Sequence, residues 1–128
     1  MDELFPPGVI GFPVTPFNQD HSLDLPGFAK NLEVILSEPF TTFVAAGGTG
    51  ELYSLSRDEY LAVIRSAVEG AAGSMPVIAG VGYGVRVAQI MASEAEKIGA
   101  SAILALPPYY ANACFDGVLG YLKGISQA

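Results

Sequence analysis

The sequence predicts an α/β fold of four consecutive strand-then-helix units arranged around a parallel sheet. Three observations predict it. Short apolar runs occur without polar alternation, segments with helical apolar spacing lie between them, and the pair recurs at roughly 25 to 35 residues, as right-handed βαβ crossovers require. A run without alternation reads as a strand buried on both faces, the habit of parallel sheets.

The first such run is Val9 to Val14, bounded by Gly8 and Pro16 and expected as a buried strand. From Leu25 the apolar residues fall at Leu25, Phe28, Leu32, Ile35 and Leu36, which is helical spacing, with Asp24 placed to cap and Pro26 in the first turn. Thr42 to Ala46 is the second run. After a glycine-rich loop, Ser56-Arg57-Asp58-Glu59 has the form of a capping box and opens a helix with a buried stripe of Tyr60, Val63, Ile64, Ala67 and Val68. Gly70 and Gly73 are expected to help end it. Pro76 to Val81 is the third strand, followed by a helix through Ile90, Met91, Ala95 and Ile98 that closes at Gly99. Ala102 to Leu106 is the fourth strand, stopped by Pro107-Pro108. Val118, Leu119, Leu122 and Ile125 suggest a last helix, weakened by Gly117, Gly120 and Gly124. Two architectures accommodate these units: an open doubly wound sheet, or part of a closed eight-stranded barrel, which takes about 250 residues when complete. Periodicity leaves both open.

Composition narrows the function classes. In 128 residues, 51% hydrophobic content with 15% charge is that of a folded domain. A formal charge of −7 would repel a phosphate backbone, so no nucleic-acid partner is expected. The single Cys114 allows no internal disulfide, and no CxxC or His-rich cluster offers metal-ligand spacing. A reducing cytoplasm, without a metal or other cofactor, is the expected setting. Met1 to Pro7 is acidic and proline-broken where a secretory signal is basic and then apolar, so export is not expected. Apolar stretches such as Ala102 to Leu106 fall far short of the ~20 residues of a membrane-spanning helix, so no membrane partner is expected either.

In both architectures chemistry sits at the carboxyl ends of the strands. There the sequence places Thr15 and Pro16, then Gly47-Gly48-Thr49-Gly50-Glu51, then Gly82-Tyr83-Gly84, then Pro107-Pro108-Tyr109-Tyr110. Closely spaced glycines let backbone N–H groups converge on an anion, and Thr49 adds a hydroxyl, so a small carboxylate suits this loop. The plainer alternative is a tight turn. Neither glycine-rich loop has the Lys-Ser/Thr of a phosphate-binding loop or a full GxGxxG, which disfavours nucleotides. Tyr109 and Tyr110 could present phenols to a substrate or simply pack beside the prolines. Glu51 reads as a base or as a partner of a helix dipole. His21 reads as solvated in a surface loop, and Cys114 has no activating partner in sequence. A Schiff base needs an amine that can be desolvated, yet Lys30, Lys97 and Lys123 all fall on predicted helices, near polar faces.

The order and spacing of Phe12-Pro13-Val14-Thr15-Pro16-Phe17, Ala45-Ala46-Gly47-Gly48-Thr49-Gly50-Glu51, Ser54-Leu55 with Glu59, Pro76-Val77-Ile78-Ala79-Gly80-Val81-Gly82 and Leu106-Pro107-Pro108-Tyr109-Tyr110 resemble the dihydrodipicolinate synthase and N-acetylneuraminate lyase superfamily. Within it, the Gly48-containing loop, Gly80-Val81-Gly82-Tyr83-Gly84 and Leu106-Pro107-Pro108-Tyr109 are similar to the 5-dehydro-4-deoxyglucarate dehydratases; synthases usually carry Thr at the position of Gly48. The resemblance implies the N-terminal half of a TIM (β/α)8 barrel, residues 1–128 forming one partial domain that stops before strand five. It implies a Schiff-base lyase acting on a small keto sugar acid, with loss of water and carbon dioxide giving 2,5-dioxopentanoate, and a homo-oligomer in the full-length family. Gly48 and Thr49 would hold the substrate carboxylate. Tyr109 matches the family's tyrosine after strand four. Tyr110 matches a synthase tyrosine that reaches a neighbouring subunit's site and that dehydratases often lack. The reactive lysine and the proton-relay tyrosine would lie beyond Ala128, which implies an inactive fragment. The alternatives are a dihydrodipicolinate synthase-like or other keto-acid lyase, and a non-catalytic half-barrel that binds a carboxylate or assembles with another half.

Overall fold

Asp24 accepts the Gly27 N–H at 2.9 Å, so α1 (Leu25–Ser37) begins with one of its orphan donors satisfied and with Pro26 in its opening turn. Phe28 and Leu32, one turn apart, are buried beneath it. The structure, a computed structural model, describes residues 6–109 and 114–128. In α2 (Arg57–Ala71) the capping box forms completely: the Ser56 hydroxyl accepts the Glu59 N–H, and the Glu59 carboxylate accepts the Ser56 N–H at 2.8 Å. The Ser56 hydroxyl, and then its N–H, hold the Glu59 carboxyl below the ordinary glutamate range. Titrating lower when folded, this carboxylate stabilises the fold at neutral pH, and that contribution is lost as pH falls through the lowered value. Replacing Ser56 with Ala should cost about 1 kcal/mol, read as a lower urea midpoint with an unchanged slope.

The stripe of α2 buries Tyr60, Val63, Ile64 and Ala67, with Val68 half-buried against the same core. Gly70 does not end the helix. It lies inside α2, which stops at Ala72 in the left-handed region at φ 46°, with Gly73 following at φ 77°. Gly99 closes α3 (Val85–Ile98) at φ 109°, the reversal expected of it. Helix α4 (Phe115–Ile125) forms despite its glycines because tertiary bonds hold it. The Tyr121 hydroxyl donates to the Leu106 carbonyl at 3.1 Å, and Gln89 donates to the Gly124 carbonyl at 2.8 Å.

Strands β1 (Val9–Gly11), β2 (Phe40–Ala45), β3 (Val77–Val81) and β4 (Ala102–Ala105) are parallel and lie side by side in the order β1-β2-β3-β4. This order separates the two architectures that the sequence left open. A doubly wound sheet reverses direction at a switch point, whereas here each crossover advances one strand the same way. Right-handed crossovers then lay all four helices on one face, as in an arc of a (β/α)8 barrel. Phe43, Ala79 and Val81 face those helices in a core with Phe28, Val63, Ile64 and Ala88.

The opposite face accounts for a departure from expectation. The first strand is only Val9–Gly11 and is not buried: Val9 is 60% and Ile10 45% exposed. Ile10 pairs with Thr42, which alternates with the core residue Phe43, so Ile10 faces away from the helices. On that face Thr42 and Val44 of β2 are 3% and 2% exposed, so it is the place of β1 at the edge of the described sheet that leaves Val9 and Ile10 uncovered.

Candidate active site

Parallel strands deliver their following loops to one end of the sheet, so the segments after β1, β2, β3 and β4 share a rim. The loop after β2 turns at two non-glycine residues in the left-handed region, Ala46 at φ 50° and Glu51 at φ 55°. The glycines between them serve space. A Cβ on Gly50 would stand 3.0 Å from the Ala46 N and Cα, and one on Gly47 would stand 3.0 Å from Val44 Cγ1, while Gly48 faces open space. Thr15, buried, donates its hydroxyl to the Gly50 carbonyl at 2.7 Å and pins the loop to the segment after β1. From β3, Gly80 presses so close that a Cβ there would lie 2.0 Å from the Ala46 carbonyl oxygen.

The Gly47 and Gly48 carbonyls accept the N–H groups of Leu52 and Glu51, each at 3.2 Å. Among the described residues no acceptor takes the N–H of Gly48 or Thr49, and both residues are exposed. Two backbone donors and a hydroxyl therefore stand available on a loop fixed from two sides, an arrangement that suits a small anion.

Beside the loop lies a bracket of three aromatic rings. Tyr83, at φ 67°, donates its hydroxyl to the Leu52 carbonyl at 3.0 Å. Burial, with Tyr53 adding to it, raises the Tyr83 pKa and keeps that phenol protonated. Tyr53 meets Tyr83 edge to face at 4.9 Å between ring centres and Tyr109 at 5.9 Å. Tyr109, itself 80% exposed, is thereby brought to the β2 loop through Tyr53. Tyr110 lies outside the described residues. Sequence reading missed Tyr53 and the tie made by Thr15. The one sequence signal for Tyr53 was indirect: Gly82 is small where a Cβ would come within 2.9 Å of the Tyr53 hydroxyl.

The other candidates lie apart from this constellation. The Glu51 side chain makes no cap bond and is exposed. His21 is exposed at φ 67° in the turn from Asn18 to Ser22, and exposed Cys114 precedes α4. Lys30, Lys97 and Lys123 sit exposed on α1, α3 and α4. No three His, Cys, Asp or Glu side chains among the described residues are grouped as a metal site would need. An apolar groove of about 330 Å³ runs between α2 and α3, lined by Leu55, Tyr60, Val87, Ile90, Met91 and Glu94. It belongs to the helix layer, with Arg57 paired to Glu94 at its edge.

Residues 6–128 match the profile of the dihydrodipicolinate synthetase family. The chain belongs to that family. Among curated relatives, it is 44% identical over 121 residues to a protein of Xanthomonas campestris pv. campestris (strain B100) described as "Probable 5-dehydro-4-deoxyglucarate dehydratase", covering 94% of this chain and 40% of that protein. It is 46% identical over 120 residues to one of Streptomyces avermitilis described as "Probable 5-dehydro-4-deoxyglucarate dehydratase 2", covering 94% of this chain and 36% of that protein. Among solved structures of the dihydrodipicolinate synthetase family, it superposes with a TM-score of 0.89 and 32% identity on the chloride-inhibited dihydrodipicolinate synthase of Acinetobacter baumannii complexed with pyruvate, over 94% of this chain and 42% of that one. On the dihydrodipicolinate synthase of Bacillus clausii the TM-score is 0.87 at 30% identity, over 92% of this chain and 40% of that one. The chain thus spans 36 to 40% of the length of these curated relatives and corresponds to one part of a TIM barrel. No helix among the described residues is long and apolar enough to cross a membrane.

Proposed function

We propose that this chain supplies the carboxylate-binding part of a 5-dehydro-4-deoxyglucarate dehydratase site. The observation that carries the reading is the β2 loop, with the free N–H groups of Gly48 and Thr49 beside the Thr49 hydroxyl on backbone held by Thr15 and Gly80. A 2-keto carboxylate seated there would have its charge met by fixed donors and its keto carbon presented to an amine across the rim. Condensation forms the Schiff base with release of water; loss of the substrate's own water and of carbon dioxide, followed by hydrolysis, gives 2,5-dioxopentanoate and returns the amine. Tyr109 enters as a rim phenol in the same reading, and Tyr110, outside the described residues, as a further catalytic candidate from sequence. Gly48, where the synthases usually carry Thr, favours the dehydratase over a synthase in this reading. A synthase-like keto-acid lyase is the second reading, favoured by the likeness to the solved synthases.

The reading treats residues 1–128 as one partial barrel unit in a cytoplasmic setting, part of a homo-oligomer in the full-length barrel, and assigns the reactive amine to barrel segments these residues do not contain. Lys30, Lys97 and Lys123 are all exposed on helices, whereas a Schiff-base amine needs a pocket that excludes water. Borohydride treatment with the keto sugar acid should leave the chain's mass unchanged; an adduct on any of the three lysines would sink this part of the proposal. Titration with pyruvate, followed by ¹⁵N NMR, should shift the Gly48 and Thr49 resonances. Thr49→Val should weaken that binding about tenfold, the worth of one hydroxyl bond to an anion. Equal affinity in the variant would remove the cradle from the reading.

A further inference from the structure

We infer that Tyr53 is a positioning residue of the candidate site, braced by Tyr83 and orienting Tyr109 on the rim beside the loop after β2. The placement stands on ring geometry alone, while what Tyr109 does once placed rests on the keto-acid reading above.

Tyr53 is fixed from its backbone outward. It lies in a single turn of 3-10 helix, Leu52–Ser54, that follows the glycine-rich loop directly. The Leu52 side chain is buried in the core, and its carbonyl accepts both the Leu55 N–H at 3.3 Å and the Tyr83 hydroxyl at 3.0 Å. The Ser54 N–H donates to the Glu51 carbonyl at 2.8 Å. Bonds from this turn and from the loop after β3 therefore converge on the backbone that carries Tyr53.

Tyr83 gives the Gly82-Tyr83-Gly84 motif a purpose. A tyrosine at φ 67° occupies a region that bulky residues rarely enter, and such a conformation persists only where its surroundings enforce it. Here they are the hydroxyl bond to Leu52 and the edge-to-face contact with Tyr53, 4.9 Å between ring centres at 74°. Gly82 supplies the remaining condition. A Cβ there would stand 2.9 Å from the Tyr53 hydroxyl and 3.2 Å from Cζ, so any larger residue would push the phenol aside.

At the other end of the bracket this fixed ring acts on Tyr109. The two rings meet at 5.9 Å and 70°, although Tyr53 is 40% and Tyr109 80% exposed, so the contact buries little and burial alone does not account for it. An exposed ring on a loop samples many orientations unless a neighbour selects one. Edge-to-face pairing selects by direction, because the positive edge of one ring meets the negative face of the other.

The test is a double-mutant cycle on pyruvate affinity in the 128-residue chain, read from the Gly48 and Thr49 amide shifts. Tyr53→Leu keeps an apolar side chain but removes the ring. It should weaken binding about threefold, the worth of one aromatic pair, and move the Tyr109 ring resonances. Tyr53→Phe should restore both, since the ring and not the hydroxyl makes the contact. Tyr109→Leu should cost at least as much as Tyr53→Leu, and the double variant no more than Tyr109→Leu alone. Unmoved affinity in Tyr53→Leu, or a loss that adds to that of Tyr109→Leu, would overturn this inference and leave the carboxylate cradle standing. A parent chain whose Gly48 and Thr49 amides ignore pyruvate would instead remove the keto-acid reading, and the role of Tyr53 with it.

Discussion

Gly80→Ala should destabilise the protein by about 3 kcal/mol, lowering the thermal midpoint by roughly 10 °C. The added Cβ would stand 2.0 Å from the Ala46 oxygen and 2.7 Å from its carbonyl carbon, and both are backbone atoms that no rotamer change can move. Either β3 shifts out of register with β2 or the loop after β2 lifts away. Gly48→Ala is the matched control. Nothing lies within 4 Å of a Cβ at that position, so its effect on stability should stay within about 0.5 kcal/mol. Thermal unfolding of the two variants side by side reads the difference, and similar midpoints would mean that the backbone of β3 does not press on the loop.

Thr15→Val should cost about 2 kcal/mol and also loosen the candidate site. Valine keeps the shape of threonine but removes the donor that meets the Gly50 carbonyl at 2.7 Å, leaving a buried oxygen without its partner. The loop would then be held from β3 alone. Faster amide exchange at Thr49 and Gly50, together with a lower melting midpoint, is the expected signature, and Thr15→Ser should recover most of both. A valine variant with parental exchange rates would show that this bond does not hold the loop.

Much of the architecture was legible because its determinants are local. Asp24 before an apolar helical stripe, and Ser56 three residues before Glu59, specify helix starts through bonds spanning only a few residues. The apolar runs gave four strands, and a shared direction was enough to place Thr49 and Tyr109 at one end of the sheet. The residues of β1 suit a buried strand, and its place at the edge of the described sheet is what uncovers them. Gly70 misled because its place inside a helix depends on packing, including the Leu32 side chain 3.2 Å from where its Cβ would be. In the site, the glycine and threonine cradle was visible as composition. The bracket of Tyr53, Tyr83 and Tyr109 was not, since it forms only when three separate loops converge.

The neighbour-by-neighbour strand order also bears on how the chain comes off the ribosome. Every new strand finds its hydrogen-bonding partner one helix earlier in the chain, already synthesised, so sheet contacts span short stretches of sequence. An order of this kind lets the sheet grow vectorially, one unit at a time, without waiting for a distant segment to arrive.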